Sequence, residues 1–402
     1  MSAATNAKKT TVSIVRTGKS PEWSDIDAAV REAVGLAGGL GEIVKPGSRV
    51  MIKPNLVGMP DERYPGGLTN PLVCRAVADM VRELGGRPLI AESSQRGTDT
   101  DEVMRATGYA ELRDQGYEVV DLKTTPLVEL RPSDPLVMKK MDVFELATEV
   151  DAVISVPVLK THDQLEITLG LKNMKGLISD RYKRLFHQEG VIDGVVDLCR
   201  LITPSFTVVD GILGQEGMGP LFGIPVEMDL IVAGRDPVAV DAVAGRIMGF
   251  EPAEVPITAL AAEKGLGVTE AGKIEIAGEP VEKVRRRFVR AHEDERAQFE
   301  GFDLIYDEGT CTGCRNGVYS VLFDLKNQGM LEYLRGSTIL VGASELPEGV
   351  STDRLIAIGR CCKNPVREVA VYVKGCPPNN SDIVEAIKKV GGTVGGTKSG
   401  NP

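Results

Sequence analysis

The chain reads as short apolar runs alternating with stretches of helical spacing. Thr10-Thr-Val-Ser-Ile-Val15, Arg49-Val-Met-Ile-Lys-Pro-Asn55 and Arg87-Pro-Leu-Ile-Ala-Glu92 are rich in branched side chains and predict strands. Glu118–Leu122, Asp151–Val158 and Phe206–Asp210 predict three more. Between them, apolar positions recur at helical spacing over Asp25–Ala37, 70–84 and 102–107, and again over 237–248 and 256–264. Asn70-Pro71 and Asp236-Pro237 are start signals, a capping side chain followed by a proline that needs no N–H partner. Strands alternating with helices predict an α/β fold, a parallel or mixed sheet with helices on both faces.

The pattern changes after residue 280. Val281–Phe302 is strongly charged, with Lys283, Arg285, Arg286 and Arg287 clustered, and predicts a solvated linker helix. Beyond it, Ser337–Gly342, Arg354–Gly359 and Glu368–Lys374 predict buried strands of a second parallel sheet. Gly317–Arg335 and Ser381–Val390 have helical spacing, with Ser381 as the expected N-cap of the latter. Two domains follow: an α/β domain over 1–280 with a polar crevice, and a smaller cysteine-rich α/β domain over 300–402.

Charge narrows the partners. Lys+Arg 47 against Asp+Glu 57 gives a net −10, which disfavours nucleic acid. No apolar run reaches the length of a membrane span, and Met1–Lys9 lacks the apolar core of a signal peptide. The expectation is a cytoplasmic protein with no membrane partner.

Five of the seven cysteines fall in the last hundred residues: Cys311, Cys314, Cys361, Cys362 and Cys376. Four explanations compete. A disulfide is poor in a reducing compartment. Structural zinc usually shows two close pairs, and only Cys311-Thr-Gly-Cys314 is one here. Ordinary buried thiols suit Cys74 and Cys199, which lie far from the group. One C-x-x-C plus scattered cysteines at strand ends and a helix start favours an iron–sulfur cluster, a 4Fe–4S centre with four thiolate ligands. Cys311, Cys314 and Cys376 supply three, and one of Cys361 and Cys362 completes the set.

Three polar clusters follow predicted strands in the first domain. They are Lys53-Pro54-Asn55, then Lys160-Thr161-His162-Asp163 with Lys172-Asn173-Met174-Lys175-Gly176 and His187, then Asp210-Gly211 with Glu216 and its glycine-rich surroundings. Singly, each is an ordinary polar strand end; together they predict one crevice at the carboxyl rim of the sheet. The local excess of bases in an acidic chain predicts a small anionic substrate, contacted by Lys53, Asn55, Lys160, Asn173 and Lys175. His162, Lys172 and Glu216 are the expected catalytic, proton-handling groups. Arg181, Lys183 and Arg184 read as an exposed helix face. No Walker or G-x-G-x-x-G motif is present.

Several of these runs carry a resemblance. Val209-Asp-Gly-Ile-Leu-Gly-Gln-Glu-Gly-Met-Gly-Pro220 and Arg235-Asp-Pro-Val-Ala-Val-Asp241 resemble the family called domain of unknown function 362. Ile52–Asn55, Lys160–His162, Leu171–Gly176, Gly359–Cys361 and Gly375–Pro378 fit the same pattern. The resemblance implies an iron–sulfur protein and points to Cys361, in the family's Gly-x-Cys position, as the fourth ligand. Many members carry a ferredoxin-like insert, and this chain has no such cysteine run. The leading expectation is an iron–sulfur enzyme on a small anionic substrate, an oxidoreductase or lyase using the cluster for electrons or as Lewis acid. A redox partner protein would accompany the electron-transfer form. The alternatives are a non-catalytic electron-transfer or cluster-carrier protein, and a zinc-stabilised binding module.

Overall fold

A computed structural model of the protein describes residues 9–307, 310 and 312–391. The chain forms two compact units, Met1–Phe186 with Val191–Glu293, and His187–Gly190 with Asp294–Pro402. The first holds strands β1 (Thr10–Arg16), β2 (Arg49–Pro54), β3 (Arg87–Glu92), β4 (Glu118–Asp121), β5 (Leu127–Leu130) and β6 (Met141–Phe144). It continues with β7 (Ala152–Val156), β8 (Val158–His162), β9 (Glu166–Thr168), β10 (Phe206–Glu216), β11 (Ile224–Gly234) and β12 (Ile274–Gly278). The main sheet runs in the order β12-β1-β11-β10-β7-β2-β3-β4, with β8 pairing β10 and β9, while β5 and β6 pair separately. The run from β10 to β4 is parallel, and β11 lies antiparallel to both β1 and β10. The protein is therefore α/β with a mixed sheet, as the alternation of strands and helices predicts.

Residues on alternate sides of each strand bury against different helices. Val50, Ile52, Ile90 and Ile154 pack with apolar residues of the helices Trp23–Leu36 and Pro71–Glu83. Their neighbours Met51, Leu89, Ala91 and Val153 pack on the other face with residues of Val191–Leu201 and Pro256–Glu263. A strand buried on both faces has no polar side, and the central strands accordingly read as continuous apolar runs.

The structure corrects several boundaries. The strand expected over Asp151–Val158 is two strands, because Pro157 has no N–H for the ladder. Lys160 and His162 therefore sit inside β8 rather than in a loop after a strand. The strand expected to end at Asp210 continues through Gly211 and Gly214 to Glu216, paired along its length with β11. Val281–Phe302 is not one helix: only Val281–Val284 is α-helical, followed by short 3-10 turns. Lys183 is buried, not on an exposed face.

The second unit carries a parallel sheet of β13 (Asp303–Ile305), β14 (Thr338–Val341), β15 (Leu355–Ile358) and β16 (Val371–Val373), in that order. The helices Thr312–Asn327 and Asn380–Gly391 bury Val318, Leu322, Ile383 and Ile387 in one core with Ile339 and Ile356. Ser381 lies within the latter helix, one residue past its first position, and so is not its cap. Residues expected to open the last strand, Glu368 and Val369, belong to the short helix Asn364–Val369.

One capping side chain joins separate parts of the first unit. Asp236 accepts from the Val238 and Ala239 N–H groups at the start of Pro237–Ile247, and its other oxygen accepts from Val268 N. An Asp236→Ala variant is expected to lose about 1–2 kcal/mol of stability, the cost of a lost cap, read as a lower urea midpoint at unchanged slope.

Candidate functional site

The site begins at the ends of two neighbouring parallel strands. Lys53 on β2 and Glu92 on β3 are almost wholly buried, and Lys53 Nζ donates to Glu92 Oε2 at 2.6 Å. The same ammonium donates to the Pro54 carbonyl at 2.8 Å and to Asn173 Oδ1 at 3.3 Å. Glu92 also accepts from the Leu56 and Ser93 backbone N–H groups. Burial pushes Lys53 below the ordinary lysine range, and the Glu92 carboxylate opposes that fall.

Asn173 lies on the turn that begins with the helix Gly170–Asn173 and continues as Met174–Leu177. Two contacts lock this turn onto the sheet. Asp241 accepts from the Gly170 and Leu171 N–H groups at 2.8 and 3.1 Å, and Asn173 Nδ2 donates to Lys53 O and Ser155 Oγ. Burial raises the Asp241 carboxyl to about 7. Gly176 closes the turn over the ion pair, where a Cβ would overlap Glu92 Oε1 and press on Lys53 Nζ. No larger residue fits there.

Lys160 on β8 is also fully buried, yet its ammonium meets only neutral acceptors: Asn55 Oδ1 at 2.7 Å, Gly67 O at 2.6 Å and Pro220 O at 3.2 Å. Burial, then the neighbouring Lys172 charge, push Lys160 well below the ordinary lysine range. Lys172 is half-buried on the same turn as Asn173. Among the described residues its Nζ has no hydrogen-bond or ion-pair partner. Burial brings Lys172 down to about 8, with the Asp163 carboxylate opposing and Lys53 assisting.

The remaining expected residues take distinct places. His162, on β8 two residues beyond Lys160, sets its Nδ1 2.9 Å from Asp163 Oδ1 and accepts there from Gln164 N. Lys175 is half-buried on the turn that holds Lys172. Glu216 at the end of β10 accepts from Arg286 at 3.0 Å and from Val289 N at 2.9 Å, so its carboxylate holds the segment after Val284. Asn55 and Asn173 spend their side-chain oxygens on the lysines. The structure thus joins Lys53, Asn55, Lys160 and Asn173 by direct bonds and brings Lys172 beside them, while Glu216 is engaged elsewhere.

Three contributors carry no assigned role in the sequence reading: Glu92, Asp241 and Lys183. Lys183 Nζ donates to Ser93 O, Ser93 Oγ and Ser94 O at 3.0, 2.8 and 2.7 Å, and burial brings it down to about 8. The glycines after β10 begins serve close backbone packing: a Cβ at Gly219 would overlap the Thr161 carbonyl.

In the second unit the cysteines collect at the carboxyl ends of β15 and β16. Cys314, on the helix Thr312–Asn327, is buried and points at the turn after β15, where a Cβ on Gly359 would lie 3.1 Å from its Sγ. Gly359 has φ +104°, a conformation that favours glycine. Cys361 is half-buried two residues on, and its Sγ accepts from Gln188 Nε2 at 3.5 Å. Cys376 is half-buried after β16, and the Arg360 N–H to Gly375 carbonyl bond of 2.7 Å ties the Cys361 and Cys376 loops together. Cys362 faces the other way: it is buried among Leu340, Leu355, Ala357 and Val366, and its thiol donates to Ile358 O at 3.2 Å. Cys311 lies outside the described residues. Among the described residues no group of three or more His, Cys, Asp or Glu is arranged to hold a single metal ion. The donor set expected for a 4Fe–4S cluster is all thiol, and of its four members Cys314, Cys361 and Cys376 lie among the described residues.

The profile of the family described as Domain of unknown function (DUF362) matches residues 50–246, a span that contains the whole lysine cluster. The chain is 34% identical over 273 residues to the thylakoid-associated protein sll1697 of Synechocystis sp. (strain ATCC 27184 / PCC 6803 / Kazusa), covering 65% of this chain and 81% of that protein. It is also similar to the solved lactate racemase apoprotein from Thermoanaerobacterium thermosaccharolyticum, with TM-score 0.37 and 13% identity. That likeness covers 60% of this chain and 57% of the racemase chain, less than two thirds of its length. No described helix is long and apolar enough to cross a membrane. At that identity, and over four fifths of a relative's length, the chain belongs to the DUF362 family.

Proposed function

We propose that this protein is an iron–sulfur enzyme acting on a small anionic substrate bound at Lys172, in the positive field of the buried Lys53 and Lys160. The observation that carries the reading is Lys172: a half-buried lysine with no hydrogen-bond or ion-pair partner among the described residues, set beside two other buried lysines. Two carboxylates, Glu92 and Asp163, act on the three cations, and Glu92 is already spent on Lys53. Burying a cation without a counter-charge costs several kcal/mol, on the order of the penalty that drives lysines neutral, and an arriving anion removes that cost. Binding would therefore draw in protons as the depressed lysines recharge.

Asn55 and Asn173 orient the lysines, the Asp241-anchored turn fixes Lys172, and the Lys172 amine and His162 imidazole are the groups suited to move protons. Cys311, Cys314, Cys361 and Cys376 are the residues that would hold a 4Fe–4S cluster, supplying electron transfer or a Lewis-acidic iron. Reduced thiols of this kind suit a cytoplasmic location.

Calorimetry with a panel of small carboxylates and phosphate, at pH 8 in two buffers of different ionisation heat, tests the anion site. Binding with net proton uptake is expected, weakened at least tenfold (about 1.4 kcal/mol) in Lys172→Ala. Absence of binding by every anion would sink the reading. For the cofactor, iron and sulfide assay with EPR after anaerobic purification should report a cluster that survives Cys362→Ser and is lost in Cys361→Ser. Colourless protein with stoichiometric zinc would overturn it.

A further inference from the structure

The chemistry available at Lys172 goes further than charge. A lysine acts as a nucleophile only when its amine is free, uncharged at working pH and held in place. Each buried lysine of the first unit meets these conditions differently. Lys53 is fixed on Glu92, Lys160 on three oxygens, and Lys183 on the Ser93–Ser94 turn and Asp180. Lys172 alone among these four has an amine lone pair that is not committed to any neighbour. Its backbone is nevertheless fixed, because Asp241 clamps Gly170 and Leu171 before it, and the Asn173 amide bonds Lys53 O and Ser155 Oγ after it. A firmly held turn thus presents a half-buried amine that no neighbouring side chain occupies.

We propose that Lys172 is a carbonyl nucleophile and that the anion taken by this site is a 2-oxo carboxylate, held covalently as an iminium on Lys172 Nζ. This rests on the reading of the lysine cluster as an anion site and names the class of anion. A 2-oxo acid offers a carboxylate to the positive field of the lysine cluster and, one bond away, a carbonyl carbon to Lys172. The Lys172 lone pair adds to that carbon, forming the C–N bond as the carbonyl π pair moves to oxygen. The oxygen takes a proton that leaves nitrogen, giving a carbinolamine. A second proton converts the hydroxyl into a leaving water as the nitrogen lone pair forms the C=N bond. The net change is amine plus ketone plus one proton giving iminium plus water, with no oxidant or reductant consumed. Asp163, whose charge acts on Lys172, is the carboxylate available to relay the proton. The iminium nitrogen carries one positive charge where the free amine had none, and that charge enters with the proton consumed.

The test is reductive trapping. The full-length protein is incubated at pH 8 with pyruvate, glyoxylate, oxaloacetate or 2-oxoglutarate, reduced with cyanoborohydride, digested and mapped by mass spectrometry. The expected result is a stoichiometric adduct on Lys172 with at least one of these acids, absent from Lys172→Arg, which keeps a cation but has no free amine. Calorimetry with the same acids is run alongside. If a 2-oxo acid binds and no adduct forms on Lys172, the covalent inference fails while the anion site stands. If none of the four acids binds, the covalent inference fails too, and phosphate and non-keto carboxylates then decide whether the anion site fails with it. An adduct spread over surface lysines, unchanged in Lys172→Arg, is ordinary amine chemistry and overturns the proposal.

Discussion

The first unit depends on burying lysine ammonium groups at the ends of parallel strands. Lys53 near the end of β2 and Glu92 at the end of β3, adjacent parallel strands, meet 2.6 Å apart. Removing one partner of such a pair typically costs about 3–5 kcal/mol, because the other charge is left buried. Much of the local sequence serves to avoid that cost. Asn173 lends its carbonyl to Lys53, the Leu56 and Ser93 N–H groups fill the remaining lone pairs of Glu92, and Gly176 leaves room for the pair. The turn carrying Lys172 is thus placed by contacts whose first purpose is to keep Lys53 satisfied.

Lys160 shows the opposite solution to the same problem. No carboxylate pairs with it, and three neutral oxygens from β2's exit, the loop before Thr69 and the stretch after β10 take its three donor positions. It therefore works as a knot between segments far apart in sequence, and its depressed affinity for a proton follows from burial without a counter-ion. With Gln215, whose amide donates to the Tyr64 carbonyl, it pins the glycine- and proline-rich loop over the rim of the sheet. A loop held this way needs no regular structure of its own.

The architecture was legible because strands buried on both faces leave unbroken apolar runs, and because Asn70-Pro71 and Asp236-Pro237 mark helix starts through backbone chemistry alone. Lys53, Lys160 and Lys172 stood out for a related reason: a cation ending an apolar strand or following one is against composition. What stayed hidden was pairing. Glu92 ends its strand like any solvated carboxylate, and only the pairing of β2 with β3 brings it near Lys53. Lys183 has the spacing of a surface helix, yet its tip reaches the Ser93–Ser94 carbonyls, a contact across ninety residues that no local pattern encodes. Pro157 hid the split between β7 and β8, since a proline within an apolar run looks the same at a strand edge as at a break. Glu216 was read by its position after a strand, whereas its strand continues and turns the carboxylate toward Arg286.

In the second unit the same kind of geometry separates two adjacent thiols that sequence leaves equivalent. Cys361 and Cys362 follow β15 directly, so successive side chains point to opposite sides of the turn. Cys362 enters the apolar cluster with Leu340 and Leu355 and gives its S–H to the Ile358 carbonyl, which makes it a small core residue. Cys361 is left at the strand end, beside the loop of Cys376 and facing an amide N–H from Gln188. On the iron–sulfur proposal, the sulfur left to ligate iron is the one that the core does not claim. Gly359, two residues earlier, is fixed by both demands at once: its positive φ turns the chain at the strand end, and its missing Cβ admits Cys314 Sγ to the same rim. A side chain there would close the approach of the helix-borne thiol while leaving the Cys362 core intact, which separates the donor geometry from the packing that supports it.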